Sequence, residues 1–334
     1  MKKFASILAF VFGCLVIALI PLPAGAQGKK LVIGLPGIPP VFSTVVAYVA
    51  ERQGYFKRQN VDVELRPFDT GTAAARAALS GDIDMSISPT PTIISQISNA
   101  NANLIGIYGF PNPDWILATT DASKTCNDMT GQPVGIDTPG GARSLALRSM
   151  LTNGCPQVKF DQLQQVSLGS NVAPAILSGQ LSFAVLHLDD VAVLEAQGKL
   201  VKTLLNISRT NPNSHYLLAV VRQDKLAANR QAYVGVLAGL ILAAKFMQDP
   251  NNGDAVAEAA APVGHAPEIA KAALKQFLEQ KMWTVDTDGL DAKRLQAVID
   301  EQVKVGSITP GKEPVKLGRL IDASLWRNAQ ALLK

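Results

Sequence analysis

From Leu31 to Val221, short apolar runs of strand type alternate with helical segments. This alternation constrains the chain more than any other feature. Strand–helix–strand repetition is the pattern of an α/β protein with mainly parallel sheets, because each helix returns the chain across a sheet face. One set reads Leu31–Leu35, helix Ser43–Gln53, Val61–Leu65, helix Ala73–Leu79, Ile83–Ile87, a helix to Ile97, and Leu104–Tyr108. A second reads Val134–Ile136, helix Ala142–Leu151, Gln164–Leu168, helix Val172–Leu177, Phe183–Leu186 and helix Asp190–Gln197. Extended segments near Trp115–Thr119 and Leu217–Val221 bracket the second set. Two crossings imply two lobes, one discontinuous, with a cleft at the carboxyl ends of the strands. The expected boundaries are 27–114 with 220–334 for lobe one and 115–219 for lobe two. The last third is helical: Tyr233, Val236, Leu237, Leu240, Ile241 and Ala244 keep helical spacing, as do Ile269, Ala273 and Phe277, and Leu295, Val298 and Ile299. These stripes read as core.

Composition narrows the classes. Of 334 residues, 48% are hydrophobic and 17% charged, with 31 Lys+Arg against 27 Asp+Glu. Disorder needs the opposite balance. Lys and Arg are scattered rather than gathered in a stripe, so no nucleic-acid partner is expected. Lys2 and Lys3, an apolar run from Phe4 to Ile20, Pro21, Pro23 and Ala24-Gly25-Ala26 read as an export leader over residues 1–26, cleaved after Ala26. An uncleaved anchor is the alternative. Export places the chain in the periplasm, an oxidising compartment. The two remaining cysteines, Cys126 and Cys155, fall at the same end of one β-α unit, which suits a disulfide, with two free thiols as the alternative.

Four motifs in order are recognisable. Ala50-Glu51-Arg52-Gln53-Gly54-Tyr55-Phe56-Lys57 followed by Val61-Asp62-Val63-Glu64-Leu65, then Ala78-Leu79-Ser80-Gly81-Asp82-Ile83-Asp84, Asp128-Met129-Thr130-Gly131-Gln132-Pro133-Val134-Gly135, and Ala175-Ile176-Leu177-Ser178-Gly179-Gln180-Leu181. Together they resemble solute-binding proteins of ABC importers, in the branch serving nitrate, sulfonates, taurine and thiamine-pyrimidine precursors. The resemblance implies a type II two-lobe periplasmic binding protein fold. It also implies a monomer that closes on a small organic solute, anionic or heteroaromatic, and docks on an inner-membrane permease. A periplasmic sensor module for a signalling partner is the alternative function. No cofactor is implied.

The resemblance further implies that ligand contacts come from the loops after the strands. In lobe one these hold Pro39, Phe42, Asp69, Thr70, Thr72, Ser88 and Thr90; in lobe two, Thr138, Gly140, Gly141, Ser170, Asn171, His187 and Asp189. Each loop opens a helix whose first N–H groups lack partners and attract anions. Ordinary helix capping accounts equally for Ser88, Thr138, Ser170 and Asp189. Phe42 either stacks on a ligand or fills the core; Asp69 either binds an amine or caps; His187 either contacts ligand or is structural. Trp115 reads as hinge packing. At His187-Leu188-Asp189-Asp190 the sequence departs from the family's aromatic or acidic residue plus Pro. Arg143 is the one arginine placed near the cleft, and its direction is left open. The three His at 187, 215 and 265 have no metal-ligand spacing, and no nucleotide loop or nucleophile elbow occurs, so no enzyme and no metal site are expected. Two cysteines 29 apart cannot make the Cys-rich iron motif of pyrimidine-precursor synthases of this fold.

Overall fold

A computed structural model describes residues 30–334. The expected leader and its cleavage site lie outside the described residues. Among the described residues, ten strands form two five-stranded sheets. The first contains β1 (Leu31–Pro36), β2 (Val63–Phe68), β3 (Met85–Pro89), β4 (Leu104–Phe110) and β10 (Leu217–Arg222), in the order β2-β1-β3-β10-β4. The second contains β5 (Ile116–Thr119), β6 (Pro133–Ile136), β7 (Gln164–Ser167), β8 (Phe183–Leu186) and β9 (Lys202–Asn206), in the order β7-β6-β8-β5-β9.

The two orders are the same pattern. In each sheet, the strand that arrives from the other lobe runs antiparallel to both of its neighbours. β10 does so between β3 and β4, and β5 between β8 and β9. The remaining pairs are parallel. Both sheets are therefore mixed in pairing yet mainly parallel in direction. The chain passes between them twice, before β5 and before β10.

Two strands start two residues later than the apolar pattern suggests. Val61 and Ile83 are buried, but each belongs to the close of the preceding helix. The Val61 N–H donates to Phe56 O, and the Ile83 N–H to Ala77 O. Gly81, at φ 92°, ends helix Gly71–Ser80 in the left-handed conformation, and the apolar residue beyond it packs back on the helix. β9 was not expected from the sequence; its residues are only partly buried. Helix Leu188–Ala196 is capped by His187, not by Asp189, which falls inside its first turn.

Helix Gln223–Met247 follows β10 and lies against helices Val45–Arg52 and Tyr55–Arg58. Gly235 and Gly239 permit that approach: a Cβ at Gly239 would stand 2.6 Å from the Phe56 ring, and one at Gly235 2.5 Å from Val61. Behind this layer, Phe42, Phe277 and Trp283 form a buried aromatic group, with ring centroids 5.2 Å apart for Phe42–Phe277 and 5.7 Å for Phe277–Trp283. Trp283 donates its indole N–H to Ser43 O at 2.8 Å, so its one polar atom is paired. In lobe two a disulfide joins Cys126, just before β6, to Cys155, at the end of helix Ala142–Gly154.

Candidate functional site

The loops that follow β1, β2 and β3 face the loops that follow β6, β7 and β8. Between them lies a narrow space of about 40 Å³, lined among others by Pro36, Asp69, Asp137, Arg143, Ser170 and Tyr216. The lobes touch here. The Ile38 N–H donates to Ser170 Oγ at 3.2 Å across the cleft. Gly37, at φ 94°, makes that approach possible, because a Cβ there would lie 2.9 Å from Ser170 Oγ and 2.5 Å from Pro39 O.

The back of the cleft is a buried polar chain running through both crossovers. Asp114, in the first crossover, holds His187 Nδ1 at 3.0 Å. Trp115 beside it donates its indole N–H to His187 Nε2 at 3.2 Å. That bond requires a lone pair on Nε2, so the ring proton sits on Nδ1, facing the Asp114 carboxylate. Tyr216, in the second crossover, places its hydroxyl 3.5 Å from His187 Nδ1 and 3.2 Å from Ser43 Oγ. Burial opposes a charge on His187, and the adjacent Asp114 carboxylate outweighs it, raising the imidazole above its ordinary pKa. Burial, with Asp114 nearby, pushes the Tyr216 phenol well up, so it stays neutral.

Arg143 points inward. Its Nη1 donates to Val185 O at 2.6 Å and to Asp190 Oδ2 at 2.9 Å, with both side chains almost fully buried. Asp190 also accepts from the His187 N–H at 2.9 Å, so one carboxylate fixes both the helix start and the arginine. Asp189 meets His265 of the C-terminal helical part, Nε2 to Oδ2 at 3.0 Å, while its other oxygen is buried with no partner.

The expected site residues separate into groups. Ser170 and Thr70 border the space, with Asp69 exposed at its rim. Thr70 caps helix Gly71–Ser80 by accepting from the Ala73 N–H at 3.1 Å. Thr72 is the second residue of that helix, its buried hydroxyl without a partner. Pro39 is exposed after a cis Ile38–Pro39 bond. Gly140 is open at φ 70°, whereas Gly141 is packed so closely on Asp137 that a Cβ would stand 2.5 Å from its carboxylate. Thr138 donates its N–H to Asp137 Oδ1 at 2.8 Å, and Asn171 is exposed at the start of helix Val172–Leu177. Three residues turn away from the cleft. Phe42 is in the aromatic core. Ser88 does not cap a helix; its hydroxyl donates to Gly71 O at 2.9 Å. Thr90 pairs with His215 Nδ1 at 2.8 Å. Sequence reading missed Ser43, Asp114, Asp137 and Tyr216. Asp114 and Tyr216 carried a signal, since each stands next to an apolar segment that crosses between lobes.

Two lobes of one topology, joined by two crossovers and facing each other through strand-end loops, define the periplasmic binding protein fold. The chain belongs to the NMT1/THI5-like family, whose model matches residues 42–252. Among solved structures, a protein from Bordetella bronchiseptica RB50 is similar at 17% identity and a TM-score of 0.76, covering 92% of this chain and 98% of that one. The alkanesulfonate-binding protein SsuA from Xanthomonas axonopodis pv. citri, bound to MOPS, gives 15% identity and a TM-score of 0.70, covering 88% and 98%. The periplasmic nitrate-binding protein NrtA from Synechocystis PCC 6803 gives 13% identity and a TM-score of 0.72, covering 91% and 89%. A comparison with curated proteins finds no significant match.

Proposed function

We propose that this protein is an exported solute-binding receptor of an ABC importer, which closes its two lobes on a small heteroaromatic solute carrying N–H donors and presents it to a membrane permease. The nitrate- and alkanesulfonate-binding neighbours support a binding role. The leader-like start and the disulfide support export. Each chain carries a whole cleft, so the binding unit is a monomer.

One observation carries the solute class: the charge of the arginine beside the cleft is already paired, by Asp190. A free anion is best held by an unpaired cation, and Arg143 meets Asp190 and Val185 O through its Nη1. What else borders the space is acidic and accepting, with Asp69 and Asp137 on the lining. Carboxylates take N–H donors from a solute, and Trp115 and Tyr216 offer it aromatic surface. A space of about 40 Å³ is too small for such a solute, so entry requires the lobes to part.

The test is calorimetric titration of the protein with 4-aminopyrimidine, methanesulfonate and nitrate. The expected result is binding of the aminopyrimidine, weakened about tenfold by Asp69→Asn, and none of the anions. Preferred binding of either anion overturns the solute class and leaves the receptor role. Binding of none overturns both.

A further inference from the structure

A second cavity, of about 260 Å³, lies on the other side of Trp115 from the cleft, and among the described residues the two spaces share that one alone. Its walls come from different lobes. Helix Ala142–Gly154 of lobe two supplies Ala146 and Ser149, and helix Ala292–Lys304 supplies Glu301 and Gln302. The floor is formed by the two crossovers, from Pro113 to Trp115 and from Ile207 to His215. Three lining residues keep a buried polar atom without a hydrogen-bond partner: Asn211 Oδ1, Ser214 Oγ and Gln302 Oε1. Buried polar atoms are rarely left so, and three at one cavity are a concentration of unmet acceptors.

The assignment of Asn211 is fixed by its neighbours. Ser149 Oγ donates to Glu301 Oε1 at 3.1 Å, so it accepts from Asn211 Nδ2, which leaves Asn211 Oδ1 free. Among the described residues, Glu301 is the one acidic residue of the lining, and no Lys or Arg lines it. The cations nearby are engaged: Arg148 Nη1 donates to Val305 O at 2.8 Å, and Lys304 bonds Asn153 and pairs with Glu301 Oε2 at 4.0 Å, while Glu301 Oε1 also accepts from Asn153 at 3.1 Å. His215 contributes no charge, because burial lowers its pKa to about 4. Trp115, Leu145, Ile207 and Val298 supply apolar surface.

We propose that this cavity is a second ligand site, selective for a small flat amine or amidine, whose N–H groups meet Glu301, Ser214 and Gln302 while its ring lies on the apolar wall. The unmet oxygens are embedded in the wall, and rotation about the Gln302 amide torsion and the Ser214 side-chain torsion brings those two to the occupant. Because its walls belong to both lobes and both crossovers, an occupant is coupled to lobe closure, and a cleft ligand to the occupant in equal measure. The site stands independently of the solute class proposed for the cleft.

The experiment is ligand-observed fluorine NMR with 4-fluorobenzamidine and the matched anion 4-fluorobenzoate. Saturable binding of the amidine is expected, at least about tenfold tighter than the benzoate. Asn213→Trp, at an exposed lining position, fills the mouth and abolishes it; Gln302→Leu weakens it about tenfold; Asp69→Asn, at the rim of the cleft, leaves it unchanged. Absence of saturation, equal binding of the two probes, or loss with Asp69→Asn but not with Asn213→Trp overturns the proposal.

Discussion

The two lobes share one strand order and are held together by different means. Lobe one has strands of 5 to 7 residues, all but β2 nearly buried throughout, and is backed by the helical segment Gln223–Met247, kinked at Asn229, and the Phe42–Phe277–Trp283 group. Lobe two has strands of 4 or 5 residues, and its edge strand β7 is largely open to solvent. Its private apolar cluster is small, built around Ile116, Val172, Ile176 and Leu186. What it has in addition is a disulfide and the buried Arg143–Asp190 pair. Topology alone therefore does not set stability. Both lobes draw on apolar burial, lobe two also through Val134, Ile136, Leu147, Met150, Phe183 and Val185, and the smaller lobe adds a covalent link and fixed polar contacts.

Two changes separate these modes. Phe277→Ala removes a fully buried ring from the lobe-one aromatic group, and a loss of about 3–5 kcal/mol is expected from truncation plus cavity. Urea unfolding measures it, and a loss below about 1 kcal/mol would show that lobe one does not depend on this group. Next in size is reduction of the disulfide. Cys126 and Cys155 are 29 residues apart, which corresponds to about 3–4 kcal/mol in the chain-entropy account. Hydrogen exchange with and without reductant should show β6, β7 and β8 losing protection while β1, β3 and β4 keep theirs. Equal loss in both sheets would mean that the lobes unfold as one unit, and the contrast between them would fall.

Much of this architecture was legible because periodicity is a local signal. Apolar runs such as Leu31–Leu35 and Phe183–Leu186 became β1 and β8 within a residue, and the glycine after Ser80 marked a helix end. The site was less legible, because its geometry is made of distant partners. Nothing near Arg143 in sequence says that it will turn inward to Asp190, 47 positions away, and nothing near His187 announces Asp114, 73 positions away. The same holds for Phe42, whose aromatic neighbours come from the C-terminal third. β9 escaped notice because a half-buried edge strand carries little alternation.

The smallest expected effect concerns two histidines that titrate with opposite sign. His215 sits at the crossover with both ring nitrogens engaged, Nδ1 by Thr90 and Nε2 donating to Gly289 O at 2.7 Å. Burial lowers its pKa to about 4, so the folded protein keeps it neutral while the unfolded chain takes up a proton near pH 6.5. Its contribution is complete above about pH 6.5 and is lost as the pH falls toward 4. His265 behaves in reverse. Burial opposes its charge, but the hydrogen bond to Asp189 and the carboxylates there prevail, and its pKa is raised. The contact between the C-terminal helices and lobe two is therefore strongest below about pH 6.5 and weakens as the pH rises through that raised value. Melting curves should show an acid-side loss that His215→Gln reduces. Small-angle scattering should show a more open protein at alkaline pH, and His265→Gln should be open to that degree at every pH. A variant that still closes on acidification would move the pH response to His187, the other histidine raised by a carboxylate, and from the lobe contact to the crossover itself.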